Sequence, residues 1–369
     1  MKQKILNFIK KEIVLSVAIV CAIVTCFFVP VDKEYLNYFD TNTLMSLFCM
    51  LAVVAGLKKT NVFDKLSKKM ISLFHDRRTV IYALVFGTFF FDMIVANDMS
   101  LITFLPLTYL VLHKTKNDKY LAFTFIMQTI AANMGGMITP YGNPQNLYLY
   151  SYYNIPTMEF ITILLIQSIM IAVLLAICCS FIKNEPLQLK EDKKLKLDKK
   201  RLYVYIILFM LVILSIFRVI PHILVLVIVI ATILVMDRII LTKVDYPLLA
   251  TFIVFFIFSG NIARIDMIKD MISYIVSNNT MIAGIISCQF ISNVPTAIFL
   301  SKFTTNYKEL LISVNIGSLG IIISSLASLI TLKEFLKHQR KNFAKYMWMF
   351  TIFNTLFLSI ILIVTNFIK

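Results

Sequence analysis

The chain has 369 residues, of which 59% are hydrophobic, 13% aromatic and only 15% charged, with a mean hydropathy of +0.83. An ordinary soluble domain holds about 45–50% apolar residues, so this composition excludes one and indicates a polytopic membrane protein. The net charge of +16 does not call for nucleic acid, because the lysines sit in loops flanking apolar runs, the pattern that membrane orientation and contact with anionic lipid require.

Uncharged runs fall at residues 13–29, 41–57, 79–91, 120–158, 160–182, 202–217, 219–236, 246–263, 271–301, 310–332 and 346–368. Several match the roughly 20 residues a spanning helix needs. The first follows Lys2, Lys4, Lys10 and Lys11 but has no small-residue cleavage site, so it reads as a retained helix. Residues 60–76 mix Val62, Phe63, Leu66, Ile71 and Phe74 with lysines, a pattern for an amphipathic helix on the cytoplasmic surface or a cytosolic linker. The run over 79–112 is interrupted by Asp92, Asn97 and Asp98, and that over 281–301 by Asn293 and Pro295. Each reads either as one span or as a re-entrant hairpin.

Between them lies the least helix-like stretch, AANMGGMITPYGNPQN from Ala131 to Asn146, inside 39 uncharged residues running from Tyr120 to Met158. Glycine and proline at this density break a helix, and a membrane tolerates the freed backbone groups only where they line a protein-enclosed cavity. Such breaks are where transporters hold substrates and ions. The polar segment 183–201 reads as a cytoplasmic basic linker dividing the chain in two. The six cysteines lie in apolar runs without paired spacing and read as packing residues, and the four histidines sit at membrane borders with no carboxylate at ligand spacing. No nucleophile, base or metal cluster of an enzyme is visible.

The positive-inside rule decides between spans and hairpins. With two hairpins, 29 basic residues fall on one side and 7 on the other; with two single spans the division is 19 to 17. The hairpin reading predicts nine spans plus two hairpins in the plasma membrane, with the N-terminus cytoplasmic and the hairpins entering from opposite faces. The order of features also recurs: 55–66 matches 259–271, 96–107 matches 292–303, and 132–138 matches 314–322. Opposed orientation of the copies makes this an inverted repeat, the plan of many secondary transporters. The first repeat is expected over 1–182 (hairpin 79–112, broken helix 120–150) and the second over 202–369 (hairpin 281–304, broken helix 309–330).

At GGMITPYGNPQN, SNVPTAIFL and ANDMSLITFLPL the chain resembles the ion-transporter superfamily that holds arsenite permeases, citrate and dicarboxylate carriers and sodium/proton antiporters. The resemblance implies a dimerising scaffold and a transport part of hairpins and broken helices that moves as an elevator. Ala96, Asn97 and Asp98 match the first Ser-Asn-Thr motif of the dicarboxylate carriers, and Ser292, Asn293 and Val294 match the second. Both threonines are replaced, by Asp98 and Val294, which removes hydroxyl donors and adds a carboxylate.

A charge at the membrane centre costs about 2.5–3.5 kcal/mol on insertion scales, so Asp92 and Asp98 need a reason to be there. The alternatives for Asp98 are an ion site and a cap on the second hairpin helix. The expected ion ligands are Asp98, Ser100, Gly142, Asn143, Asn293 and Ser324, and a change at Asp92 is expected to matter less than one at Asp98. The expected solute contacts are Asn97, Asp98, Asn143, Asn146, Asn293, Thr296 and Ser325. With no basic residue in either motif, an anion is expected to rely on amides, hydroxyls, helix N-termini and a bound cation. The expected function is secondary transport of a small oxyanion or a di- or tricarboxylate, coupled to Na+ or H+ and without a cofactor, in a homodimer; the alternative is a Na+/H+ antiporter of the same fold.

Overall fold

The computed structural model of the chain describes residues 12–71, 73–95, 97–187 and 197–368. The N-terminal lysines, the expected tip residue Ala96 and the middle of the 183–201 linker lie outside the described residues. Those residues are helical and form no strand beyond an isolated bridge between Asp76 and Pro186.

In chain order the helices are α1 (Ile13–Cys26), α2 (Thr41–Lys59), α3 (Val62–Ile71), α4 (Arg77–Asp92), α5 (Asn97–Lys114), α6 (Leu121–Gly135), α7 (Pro144–Tyr152), α8 (Thr157–Ser180) and α9 (Lys199–Ile216). They continue with α10 (His222–Met236), α11 (Tyr246–Ile262), α12 (Asp266–Asn278), α13 (Thr280–Ile291), α14 (Asn293–Leu300), α15 (Tyr307–Ile316), α16 (Leu326–Gln339) and α17 (Phe343–Ile368). Short polar side chains set many of the starts by accepting the orphan first-turn N–H groups. Asp40 caps α2 at Thr43, Asp198 caps α9 at Arg201, Asp245 caps α11 at Leu248 and Asn279 caps α13 at Ile282.

Among the described residues, four helical stretches are long and apolar enough to cross a membrane: Thr41–Lys59, Asp118–Ile138, Thr157–Ser180 and Leu326–Phe367. A fifth arises if α11 and α12, bent by 103° at their junction, are one span. The nine spans expected, two of them broken, are therefore not all present as single long helices. Some apolar runs become helices of 14 or 15 residues, as α1 and α10 do, and two are broken in the middle.

Both expected helix pairs fold back on themselves. Arg77, at the start of α4, donates to Asn117 just beyond α5 at 3.1 Å, so the pair returns to the end it left. Near the turn Phe91 and Phe104 meet edge-on with ring centroids 5.6 Å apart. In the second pair Met281 N–H, at the start of α13, donates to Glu309 at the head of α15. The amphipathic α3 packs Phe63 edge-on against Phe91 at 4.9 Å, so it lies along the first hairpin.

Polar contacts sort the loops into sets. Arg77, 1% exposed, also binds Glu185 and the Lys183 carbonyl, and Leu187 N–H donates to the His75 carbonyl. The Arg77 guanidinium holds the exposed Glu185 carboxyl below the usual carboxylate range. Gln339 donates to the Asp118 carbonyl, and Lys59 pairs with Asp237 at 2.6 Å. The other loops make their own ties: Arg264 to Asp32 at 2.6 Å, Arg218 to the Tyr150 carbonyl at 2.7 Å, and Glu159 to Tyr307 and Lys308. These are the two groups into which the hairpin reading divides the loops.

Candidate functional site

Two interrupted helices lie at the centre. The first stops at Gly135, makes a 3-10 turn over Gly136–Ile138, runs extended through Thr139 and restarts at Pro144, whose missing N–H costs nothing in the first turn of α7. Gly135 is required by a crossing, because a Cβ there would stand 2.3 Å from the Phe89 carbonyl oxygen of α4. The second stops at Ile316, makes a 3-10 turn over Ile322–Ser324 and restarts at Leu326. Gly320 turns this break at φ +115°, a conformation that L side chains rarely adopt.

Each hairpin sends one polar side chain into the break that follows it. Asp92, the last residue of α4 and fully buried, accepts from Gly136 N–H at 2.7 Å and from Ser100 Oγ at 3.2 Å. Gln289 of α13 donates to the Gly317 and Leu319 carbonyls at 2.9 and 3.0 Å and accepts from Ile321 N–H at 3.0 Å. Backbone groups freed by the breaks are thereby satisfied by the hairpins. Gln289 escaped the sequence reading and Asp92 was ranked below Asp98. Their matching places, five residues before Asn97 and four before Asn293, were the signal.

A cavity of about 750 Å³ reaches this centre, within the range typical of small-molecule sites. Asn97 and Asp98 of the first tip, and Tyr141 and Asn143 of the first break, line it. The lining also includes α2, from Leu47 to Lys59, and residues 239–248 at the head of α11. Asn97 Oδ1 accepts from Asp98 N–H at 3.0 Å, so Asn97 serves the first turn of α5 and leaves the half-buried Asp98 carboxyl facing the cavity.

The other predicted residues are placed differently. Asn143 Nδ2 donates to the Asn133 carbonyl at 3.3 Å, while its Oδ1 is buried without a hydrogen-bond partner among the described residues. Gly142 packs so closely on Gly136 that a Cβ would stand 2.3 Å from the Gly136 carbonyl oxygen. Asn146 joins the two breaks: its Oδ1 accepts from Asn315 Nδ2 at 2.7 Å, and Gln145 donates to Asn315 Oδ1 at 3.4 Å. Asn293 Oδ1 accepts from Val294 N–H at 3.0 Å, repeating the turn made by Asn97, and Thr296 Oγ1 donates to the Ser292 carbonyl at 2.8 Å. Ser292, at φ +73°, donates to the Ser324 carbonyl, and Ser324 Oγ donates to the Ser318 carbonyl at 2.7 Å. Ser325 caps α16 at Ser328. Asn146, Asn293, Thr296, Ser324 and Ser325 lie off the cavity wall.

Folded-back helix pairs, paired breaks with polar linings, and helices long and apolar enough to span a bilayer define a multi-pass membrane transport protein. The chain belongs to the citrate transporter family, whose sequence model matches residues 5–309. It is 35% identical over 310 residues to an uncharacterized transporter of Methanocaldococcus jannaschii, covering 81% of this chain and 82% of the relative. It is 26% identical over 313 residues to the inner membrane protein YbiR of Escherichia coli strain K12, covering 83% of each. The family is one of membrane anion and carboxylate carriers, not of enzymes.

Proposed function

We propose that the protein is a secondary active transporter of a small carboxylate anion, coupled to Na+ or H+. The observation that carries this reading is the cavity that ends on Asn97, Asp98 and Asn143, where a hairpin tip meets a broken helix. Asn97 and Asn143 offer amides to the solute. Asp92 Oδ2 and the unpartnered Asn143 Oδ1 converge on Gly136, where a Cβ would stand 2.5 and 2.8 Å from them. Oxygen donors of this kind suit a hard cation, and the cavity-facing Asp98 carboxylate adds a further one. Ser100 and Gly142 belong to the same ion site, while Asn293, Thr296, Ser324 and Ser325 form its counterpart in the second half, with Asn146 between them.

The architecture we infer is an inverted repeat, 1–182 against 202–369, in which the hairpins and broken helices move as one body against the remaining helices of a homodimer. It lies in the plasma membrane with the N-terminus cytoplasmic. Support comes from the opposite ends at which the two hairpins are anchored, Arg77 with Asn117 and Glu185 in one, Met281 with Glu309 in the other. A Na+/H+ antiporter is the second reading, favoured by the absence of a basic side chain from the Asn97–Asp98 tip and the first break.

A thermal-shift panel with citrate, succinate and arsenite, with and without sodium, tests the assignment, because a ligand of the native state raises stability by RT ln(1 + [L]/Kd). A sodium-enhanced shift with a carboxylate is the expected result. A shift with sodium alone, together with sodium-driven proton flux in vesicles free of any anion solute, would replace it with the antiporter.

A further inference from the structure

The hairpin tips and breaks carry no basic residue, yet three lysines line the same cavity: Lys58 and Lys59 at the end of α2, and Lys243 in the turn before α11. Lys59 is held by Asp237 at 2.6 Å. Lys58 and Lys243 are exposed and make no ion pair among the described residues, although Asp64 lies near enough to Lys58 to act on its charge. Of the carboxylates on the wall, Asp245 is engaged in capping α11 through Leu248 N–H, Glu12 lies at the N-terminal end of α1, and Asp98 is on the hairpin tip.

The charges of the cavity are thus divided. The side formed by the hairpin and break offers neutral amides and a carboxylate, which attract a cation and repel an anion. The side formed by α2 and the turn before α11 offers three ammonium groups, one of them paired with Asp237, beside the Asp245 carboxylate that caps α11. Between Leu47 and Lys59 this wall runs about 18 Å along α2 at 1.5 Å per residue, with Lys58 and Lys59 at its end.

We propose that Lys58 and Lys243 form an anion-docking subsite that takes a second negative charge of the solute, which selects di- and tricarboxylates over monocarboxylates and over the largely uncharged arsenous acid. The inference rests on the transport function proposed above and names its substrate class. A monoanion needs only the amides and the coupling cation. A solute with two or more carboxylates places at least one more charge in a partly desolvated cavity, where an unpaired charge is unfavourable, and the lysines are the cations available to meet it. Because they stand on helices outside the hairpins, they serve the solute only while the first tip faces this cavity.

Uptake of citrate, succinate, acetate and arsenite into right-side-out and inside-out membrane vesicles tests this. In the Lys58→Gln/Lys243→Gln variant, KM for citrate and succinate should rise about tenfold from one membrane face only, the size expected for losing a charge-assisted contact. Entry of acetate should stay unchanged, and Lys58→Arg/Lys243→Arg should restore the wild-type KM. Unchanged citrate and succinate KM in the glutamine variant, in protein whose melting temperature matches wild type, overturns the inference and leaves the transport function standing. So does a wild type that prefers acetate or arsenite. If the lysine effect vanishes in vesicles of neutral lipid, the lysines serve headgroup phosphates and the inference falls. A wild type that moves none of the four solutes refutes both this inference and the function it rests on.

Discussion

Asp98 and Asp92 sit six residues apart and differ in surroundings. Asp98 turns its carboxyl to the cavity without a side-chain donor among the described residues, whereas Asp92 is enclosed and accepts from Gly136 N–H and Ser100 Oγ. Asp98→Asn should therefore lower cation-coupled uptake by at least about tenfold while leaving the melting temperature near wild type, since no structural bond of the carboxylate is lost. Asp92→Leu should instead destabilise the protein by about 1–3 kcal/mol, because Gly136 N–H is left buried without an acceptor. Equal melting temperatures for the two variants would contradict this division. Outside the membrane segments, Arg264 holds the Asp32 carboxyl below its usual value of 3.8. A depressed carboxylate contributes stability that is complete above its unfolded value and is lost as pH falls through the lower folded one. The tie between residue 32 and the turn after α11 should loosen below about pH 4. Melting curves of wild type and Arg264→Gln should accordingly converge in that acid range and separate above it.

At the scale of elements, the hairpins and breaks behave as two matched assemblies, each closed by one side chain. Gln289→Leu would leave the Gly317 and Leu319 carbonyls and Ile321 N–H without their partner, a loss of about 1–3 kcal/mol or more that a denaturation series should detect. The two assemblies meet through Asn146 and Asn315 at 2.7 Å. A double-mutant cycle of Asn146→Ala and Asn315→Ala should show a coupling of about 0.5–3 kcal/mol, and strict additivity would place these amides in separate environments. Much of this was legible in the sequence. Gly135, Gly136, Pro140, Gly142 and Pro144 announce the first break by their backbone chemistry, and Gly317 and Gly320 mark the second. The bridge through Asn315 was not legible, because its partner lies 169 residues away and one asparagine on an apolar helix resembles any other. The lysines on the cavity wall were hidden for a related reason: as helix-end charges they fit orientation alone, and only the folded chain brings them to the cavity that the hairpin tip lines.

For the whole molecule, the decisive question is which loops share a face of the membrane. Charge counting groups 58–78, 113–119, 183–201, 237–245 and 331–345 together, and contacts between distant parts of the chain join members of that group. Arg77 spans from the base of α4 to Asn117 and Glu185, Gln339 reaches the Asp118 carbonyl, and Lys59 reaches Asp237. A single span over 79–112 would put Arg77 and Asn117 on opposite faces, separated by a hydrocarbon core of about 30 Å, and a 3.1 Å hydrogen bond between them could not form. The prediction is that Lys116→Cys and Lys183→Cys, each introduced after replacing the six native cysteines, react with an impermeant maleimide from the same side, and that Lys308→Cys reacts from the other. Spheroplasts and inverted vesicles give the two accessibilities. Labelling of 116 and 183 from opposite sides would remove the first hairpin. Labelling of 308 from the same side as both would remove the second, and with it the opposed anchoring on which a paired, inverted site depends.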